Sequence, residues 1–194
     1  MRSSRRSLLA TFLSLPFIDA MHSAASAQGM QQLPLTAACD DREAATLERE
    51  AGPFFKPSSP LSRDLFLDSP GGAQITVAGF VLDNRCRPLP GSFVEIWHAD
   101  EHGEYDQESF RLRGHQFTDA RGRWWFHTIV PALYPGRTRH FHFKVQRSGG
   151  SVLTTQLFFP NEARNATDRI FHETLLMEMK NTNEGMFGQF NFVI

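Results

Sequence analysis

Two histidines and two tyrosines carry the chemistry this sequence is equipped to do. In His140-Phe141-His142 the imidazoles are two residues apart, and on a strand that spacing turns both to one face, where their nitrogens can share a metal ion. Polar strand faces that bind nothing show the same spacing, so the pair needs support from elsewhere. Support comes from aromatic usage: the chain holds 18 phenylalanines but only two tyrosines, Tyr105 and Tyr134. Where bulk alone is wanted the sequence uses Phe, so a phenol kept at two positions points to its hydroxyl. Tyr105 follows the turn Asp100-Glu101-His102-Gly103, and Tyr134 lies in a Pro- and Gly-rich loop, Pro131-Ala132-Leu133-Tyr134-Pro135-Gly136-Arg137, that feeds the histidine strand. A rim position with the hydroxyl in water explains either tyrosine alone; all four residues together favour a metal site.

The donor set selects the metal. A phenol titrates near ~10, so holding it ionised at neutral pH takes a strong Lewis acid, and a hard anionic oxygen prefers a hard trivalent ion. Ferric iron, non-haem, fits this set better than zinc or copper.

Strands must position these groups. Ile75, Val77, Gly79 and Val81 alternate with their neighbours, as do Phe93, Glu95 and Trp97 with Val94, Ile96 and His98, which is the half-buried strand pattern. Further strand-like runs cover 123–129, 139–146, 152–159 and 187–194. Asp100 to Gly103 and Asp119 to Gly122 each set an Asp three residues before a Gly, which suits a type I turn closed by a residue with positive φ. The fold class predicted is all-β, a β-sandwich with short peripheral helices. One helical turn is expected within 40–50, stopped by Gly52-Pro53, and a short helix within 167–180, capped by Thr167, with Ile170, Phe171, Leu175 and Leu176 inward. His98 and His127 on strands and His102 on a turn read as structural or solvated. Asp100, Asp119 and Gly122 read as turn formers, and Trp97, Trp124 and Trp125 as core or rim.

The first residues read as an address. Paired arginines, Arg5-Arg6, precede an apolar run from Leu8 to Ile18, and Ala25-Ser26-Ala27 offers a cleavage site; this is the pattern of a cleavable twin-arginine signal peptide over 1–27. The run falls short of the ~20 apolar residues that span a bilayer. One catalytic β-sandwich domain is expected over 28–194, exported to the periplasm or secreted, with no membrane attachment after processing. Acidic and basic residues nearly cancel, 21 against 20, and no run of either sign suggests nucleic acid. The partner is expected to be a small molecule, and a homo-oligomer stays open. Cys39 and Cys86, the only cysteines, favour a disulfide in an oxidising compartment, worth about 4 kcal/mol by loop-closure entropy. Two buried free thiols are the alternative, and a metal role does not suit a pair so spaced.

Ordered motifs along most of the mature chain resemble the intradiol ring-cleavage dioxygenases, the family of protocatechuate 3,4-dioxygenase and catechol 1,2-dioxygenase. The runs that carry the resemblance include Ala51-Gly52-Pro53-Phe54-Phe55, Val94-Glu95-Ile96-Trp97-His98-Ala99-Asp100 with Gly103 and Tyr105, Arg113-Gly114, Tyr134-Pro135-Gly136-Arg137, His140-Phe141-His142-Phe143-Lys144-Val145 and Thr155-Gln156-Leu157-Phe158-Phe159. The resemblance implies Tyr105 and His140 as equatorial and Tyr134 and His142 as axial ligands of Fe(3+), with hydroxide completing the shell. It further implies that a catechol-type substrate binds as a dianion in place of hydroxide and Tyr134. O2 then attacks the substrate and is inserted between its two hydroxyl-bearing carbons, giving a muconic-type dicarboxylic acid. Arg137 is implied as the cation stabilising charge on the ring, and Gln156 as a group that orients the site. A surface ion pair for Arg137 and a strand-holding amide for Gln156 are the plainer alternatives.

The path from Tyr134 to His140 is shorter than in the better-known members, which predicts a more open pocket, and the long helical N-terminal region of catechol 1,2-dioxygenases is absent from the pattern. Two rivals remain. A non-catalytic transthyretin-like or carbohydrate-binding β-sandwich module explains the turns but not the tyrosine usage. A cupin-type iron(II) or copper enzyme also uses His-x-His, but the carboxylate expected a few residues later is missing from Phe143-Lys144-Val145-Gln146.

Overall fold

The computed structural model describes residues 44–183 and 185–194. Among them, nine strands carry the chain: β1 (Gln74–Leu82), β2 (Phe93–Trp97), β3 (Arg113–Phe117), β4 (Arg123–Ile129), β5 (His140–Gln146), β6 (Leu153–Phe158), β7 (Glu178–Thr182), β8 (Gly185–Gln189) and β9 (Phe192–Val193). They form two sheets. One runs β4-β1-β8-β7, with β9 also paired to β1; the other runs β3-β2-β5-β6. The second sheet is antiparallel throughout, whereas β8 and β9 lie parallel to β1. The all-β sandwich expected from the sequence is the fold observed.

Period-two patterning sets the core. Val94 and Ile96 on β2, Phe141, Phe143 and Val145 on β5, and Leu157 on β6 turn to one side and meet Ile75, Val77, Val81, Trp124, Phe126 and Phe192 of the opposite sheet. β1 is central and buried on both faces, because Ala78, Phe80 and Leu82 form a second cluster with Trp125 and Phe187 on its other side. For β5 the consequence is direct: its phenylalanines enter the core, so His140, His142 and Lys144 face outward from the sandwich.

Several expected elements take another form. The run 187–194 divides into β8 and β9, both parallel to β1, because the chain between them leaves the ladder and presses against Gly79. A Cβ there would overlap the Phe190 carbonyl, and Phe190 N donates to Ala78 O. The expected helical turn within 40–50 is absent from its described part: residues 44–50 are non-helical. Their backbone donors serve the sheets instead, Thr46 N to Val193 O and Arg49 N to Thr154 O. The helix expected within 167–180 is replaced by a 3-10 turn at Glu173–Leu175 and by β7. Met177 N donates to Phe158 O, and Leu176 bridges to Phe158, so pairing with β6 overrides the local propensity. Leu175 alone of the four expected inward residues is fully buried. The other short helices described are 3-10 turns at Phe66–Asp68 and Ala163–Ala166.

β3 and β7, unforeseen in the sequence, are mixed or polar segments, Arg-Gly-His-Gln-Phe and Glu-Met-Lys-Asn-Thr, held as strands by their neighbours. Both Asp-to-Gly turns are present: Gly103 N donates to Asp100 O, Gly122 N to Asp119 O, and both glycines have positive φ. Cys86 is disulfide-bonded. Cys39, its expected partner, lies outside the described residues, as does the signal-peptide segment 1–27. No described helix is long and apolar enough to cross a membrane.

Candidate metal centre

A single rung across the second sheet builds the floor of the site. Arg113 on β3 pairs with Trp97 on β2, Trp97 with His142 on β5, and His142 with Gln156 on β6. Paired residues share a face, so these four side chains stand in a row on the outer surface of the sheet. Trp97 lies flat on the imidazole of His142, with ring centroids 4.9 Å apart and planes 8° from parallel. His140, one turn of the pleat away, brings its Nε2 to 3.1 Å from His142 Nε2.

Two loops bring the tyrosines over this floor. Tyr105 follows the Asp100 turn, and its hydroxyl stands 3.3 Å from His140 Nε2. Tyr134 begins a tight turn closed by Arg137 N donating to Tyr134 O at 3.1 Å, with Pro135 and Gly136 exposed. The tyrosine rings meet edge to face at 5.7 Å. Phe54 fills the space beside them, stacked on Tyr105 at 4.5 Å and edge-on to Tyr134 at 5.3 Å. The structure thus gathers all four residues singled out from the sequence.

The protonation states suit a cation. His140 Nδ1 stands 2.6 Å from Thr138 O; a carbonyl can only accept, so Nδ1 carries the proton and Nε2 offers a lone pair toward the other side chains. Burial, aided by the Arg137 charge, lowers His140 to about 4. Burial and the neighbouring His140 hold His142 well below the ordinary histidine value, so both imidazoles are neutral donors at pH 7. Burial raises the Tyr105 hydroxyl above the usual tyrosine value, against the pull of Arg137 and Arg113. The pocket alone therefore opposes a phenolate, and ionising Tyr105 requires a strong Lewis acid. Two neutral imidazoles beside two phenols make a donor set that fits a hard trivalent ion.

A family model described as "Dioxygenase" matches residues 50–194. The chain belongs to the intradiol ring-cleavage dioxygenase family. Among solved structures it resembles the dioxygenase domain of a dioxygenase carbohydrate-binding protein fusion from Streptomyces sp. SirexAA-E, with 48% identity and TM-score 0.76 over 78% of this chain and 98% of that one. It is 36% identical over 138 residues to the protocatechuate 3,4-dioxygenase beta chain of Burkholderia cepacia, covering 59% of each chain. To the hydroxyquinol 1,2-dioxygenase of a Rhizobium species it is 28% identical over 167 residues, covering 71% of this chain and 56% of that one. The chain thus spans little more than half the length of these two relatives. Membership in the dioxygenase family does not favour the non-catalytic sandwich module.

Within this dioxygenase fold Arg137 and Gln156 stand together: Arg137 Nη2 donates to Gln156 Oε1 at 2.6 Å, and Gln156 Nε2 donates to Glu50 O at 2.9 Å. Among the described residues, His98, His127 and His102 hold the structural or solvated places expected of them. His98 is buried, donating from Nδ1 to Ala99 O and accepting the Thr128 hydroxyl at Nε2. His127 faces Asp64, and His102 is exposed on its turn.

Sequence reasoning assigned no role to Phe54, Asp168 or the Arg113 side chain, although Phe54 and Arg113 lie in the quoted motifs. Arg113 is buried and donates to the carbonyls of Phe54 and Asp106 at 2.7 and 2.8 Å, tying the Phe54 segment to the Tyr105 loop. Its signal was an arginine in a quoted motif with no acidic residue among its near neighbours in sequence. Asp168 had no local signal, because its partners are distant along the chain.

Proposed function

We propose that this chain is a non-haem iron(III) dioxygenase that inserts both atoms of O2 into a catechol-type diol, cleaving the ring between the hydroxyl-bearing carbons to a muconic-type dicarboxylic acid. The observation that carries the reading is the approach of Tyr105 Oη and His142 Nε2 to His140 Nε2, at 3.3 and 3.1 Å, with Tyr134 packed on Tyr105. Tyr105, Tyr134, His140 and His142 would hold the ion. Ferric iron bound there would supply the Lewis acidity that keeps the phenols ionised and draws electron density from a chelated catechol, making the ring reactive toward O2.

The chain's own residues account for the remaining needs. His140 and His142 stay neutral through burial and bring no added charge to the site. Tyr134 is half-buried at the head of an exposed turn, placed to give way to the substrate and to take one of its two protons at the phenolate oxygen, the other leaving to solvent. Arg137, with its side chain 18% exposed, places a fixed cation where negative charge develops on the ring. Gln156 holds that cation. Phe54 and Trp97 wall the phenols and His142 from water. Export through the twin-arginine route is part of the proposal, and the disulfide at Cys86 supports an oxidising destination.

Purified, iron-replete protein tests this. Expected are about one iron per chain, a visible phenolate-to-iron absorption band, and uptake of one O2 per catechol with a ring-opened dicarboxylic acid as product. Colourless protein without iron, or oxidation of catechol with the ring intact, would refute it.

A further inference from the structure

We infer that Asp168 is a positioning residue that sets the orientation and charge balance of Arg137, the cation proposed to face the substrate. The inference rests on the ring-cleavage reading and deepens it. Asp168 lies 31 residues from Arg137 along the chain, in the irregular segment between the 3-10 turns. Its Oδ2 accepts from Arg137 Nε at 2.8 Å and from Thr138 N at 2.7 Å, while Oδ1 accepts from Ile170 N at 2.8 Å. One carboxylate therefore fastens its own loop, the residue leading into β5 and the guanidinium.

The geometry constrains which face of Arg137 is left to act. Nε and Nη2 lie on one edge of the guanidinium; Asp168 takes the first and Gln156 Oε1 the second, at 2.6 Å. Among the described residues Nη1 makes no protein hydrogen bond. Its plane is fixed by two acceptors on one side, so both N–H groups of Nη1 and the second of Nη2 are the donors left over. The same charge acts on Tyr105, His140 and His142, which places it beside the cluster.

Burial separates this from an ordinary surface ion pair. The Asp168 side chain is only 2% exposed and that of Arg137 18%, so water does little to screen either charge, unlike the exposed pairs that contribute almost nothing. An arginine buried to this degree without a counter-charge would lose its geometry or draw water into the site. Asp168 offsets the cation while leaving its substrate edge open, and Gln156, the other acceptor, is the strand neighbour of His142.

A double-mutant cycle on the iron-loaded protein tests the assignment with Asp168→Asn, Arg137→Leu and both together. Three readouts are taken: iron content, anaerobic catechol affinity from the shift of the visible band, and kcat for ring cleavage. Each single change is expected to lower kcat about 100-fold, comparable to removing one transition-state donor, with iron content kept. The double variant is expected within about threefold of Arg137→Leu, because residues acting as one unit do not add. Anaerobic catechol affinity should follow the same non-additive pattern. Losses that multiply, or wild-type kcat in Asp168→Asn, would overturn the assignment. If Asp168→Asn does not fold, Asp168→Glu replaces it: the carboxylate charge is retained a methylene further away, and the same non-additivity with Arg137→Leu is required. Failure of the wild-type protein to bind iron or cleave catechol would instead strike the parent reading, which the wild-type arm reports separately.

Discussion

Gly103 lies against the main chain of Leu133, so closely that a Cβ at this position would stand 2.6 Å from the Leu133 carbonyl oxygen. The contact joins the loop that carries Tyr105 to the loop that carries Tyr134. A second tie reinforces it, since Ala132 N donates to Asp100 O at 2.9 Å. Gly103 also has φ +86°, a conformation that L side chains resist. Gly103→Ala should therefore strain the backbone and push the loops apart, costing about 2–4 kcal/mol from conformation and overpacking combined. Thermal unfolding checks the stability. Visible absorption per bound iron checks whether the phenols have separated, and a variant with unchanged melting and colour would refute the coupling.

The phenols themselves separate by role. Tyr105 is the more enclosed, stacked on Phe54 and within reach of His140, whereas Tyr134 heads an exposed turn. Tyr105→Phe should weaken iron retention and shift the visible band. Tyr134→Phe should keep more iron but also shift the band, and lower ring cleavage by about 100-fold or more, a loss typical of removing a proton-transfer group. Unaltered spectra in both variants would remove the ligand set.

Acid should loosen the fold through His98. Burial lowers this histidine to about 4, whereas an unfolded histidine titrates near ~6.5. Between those values the unfolded chain binds the extra proton, so the stabilisation is complete above the unfolded value and is lost as pH falls from about 6.5 toward about 4. The size for this one group is about 3 kcal/mol. His98→Gln should lower stability at pH 7, by breaking the bonds to Ala99 and Thr128, and flatten the pH dependence in that window. Denaturant unfolding at several pH values gives the slope, and an unchanged slope would contradict the assignment.

Reduction offers a further check. Cys86 sits in the turn after β1, where Cys86 N donates to Asp83 O. Breaking its disulfide should cost about 4 kcal/mol if loop entropy dominates. Cys86→Ser should melt at a lower temperature than the oxidised protein and no longer respond to reductant. Equal melting with and without reductant in the unmodified protein would show that the bridge contributes nothing.

Much of this molecule could be read without coordinates, for local reasons. A period of two along 140–146 requires His140 and His142 to share a face opposite Phe141 and Phe143. At Asp100 and at Asp119 an Asp three residues before a Gly closes the same turn, and a hydroxyl kept on only two aromatic rings marks them for use. Those features depend on neighbouring residues, and they determined the sandwich, the turns and the candidate ligands. What they could not determine is pairing across the chain. Residues 167–180 have the composition of a short helix, but Phe158 takes up Met177 and Leu176 as strand neighbours. Asp168 stands in no motif that relates it to Arg137. The rung Arg113, Trp97, His142 and Gln156 exists only because four strands align in one register. Side-chain chemistry is written residue by residue. Register and burial arise only when distant segments compete for the same hydrogen bonds and the same dry space, and that competition was decided in the folded sandwich.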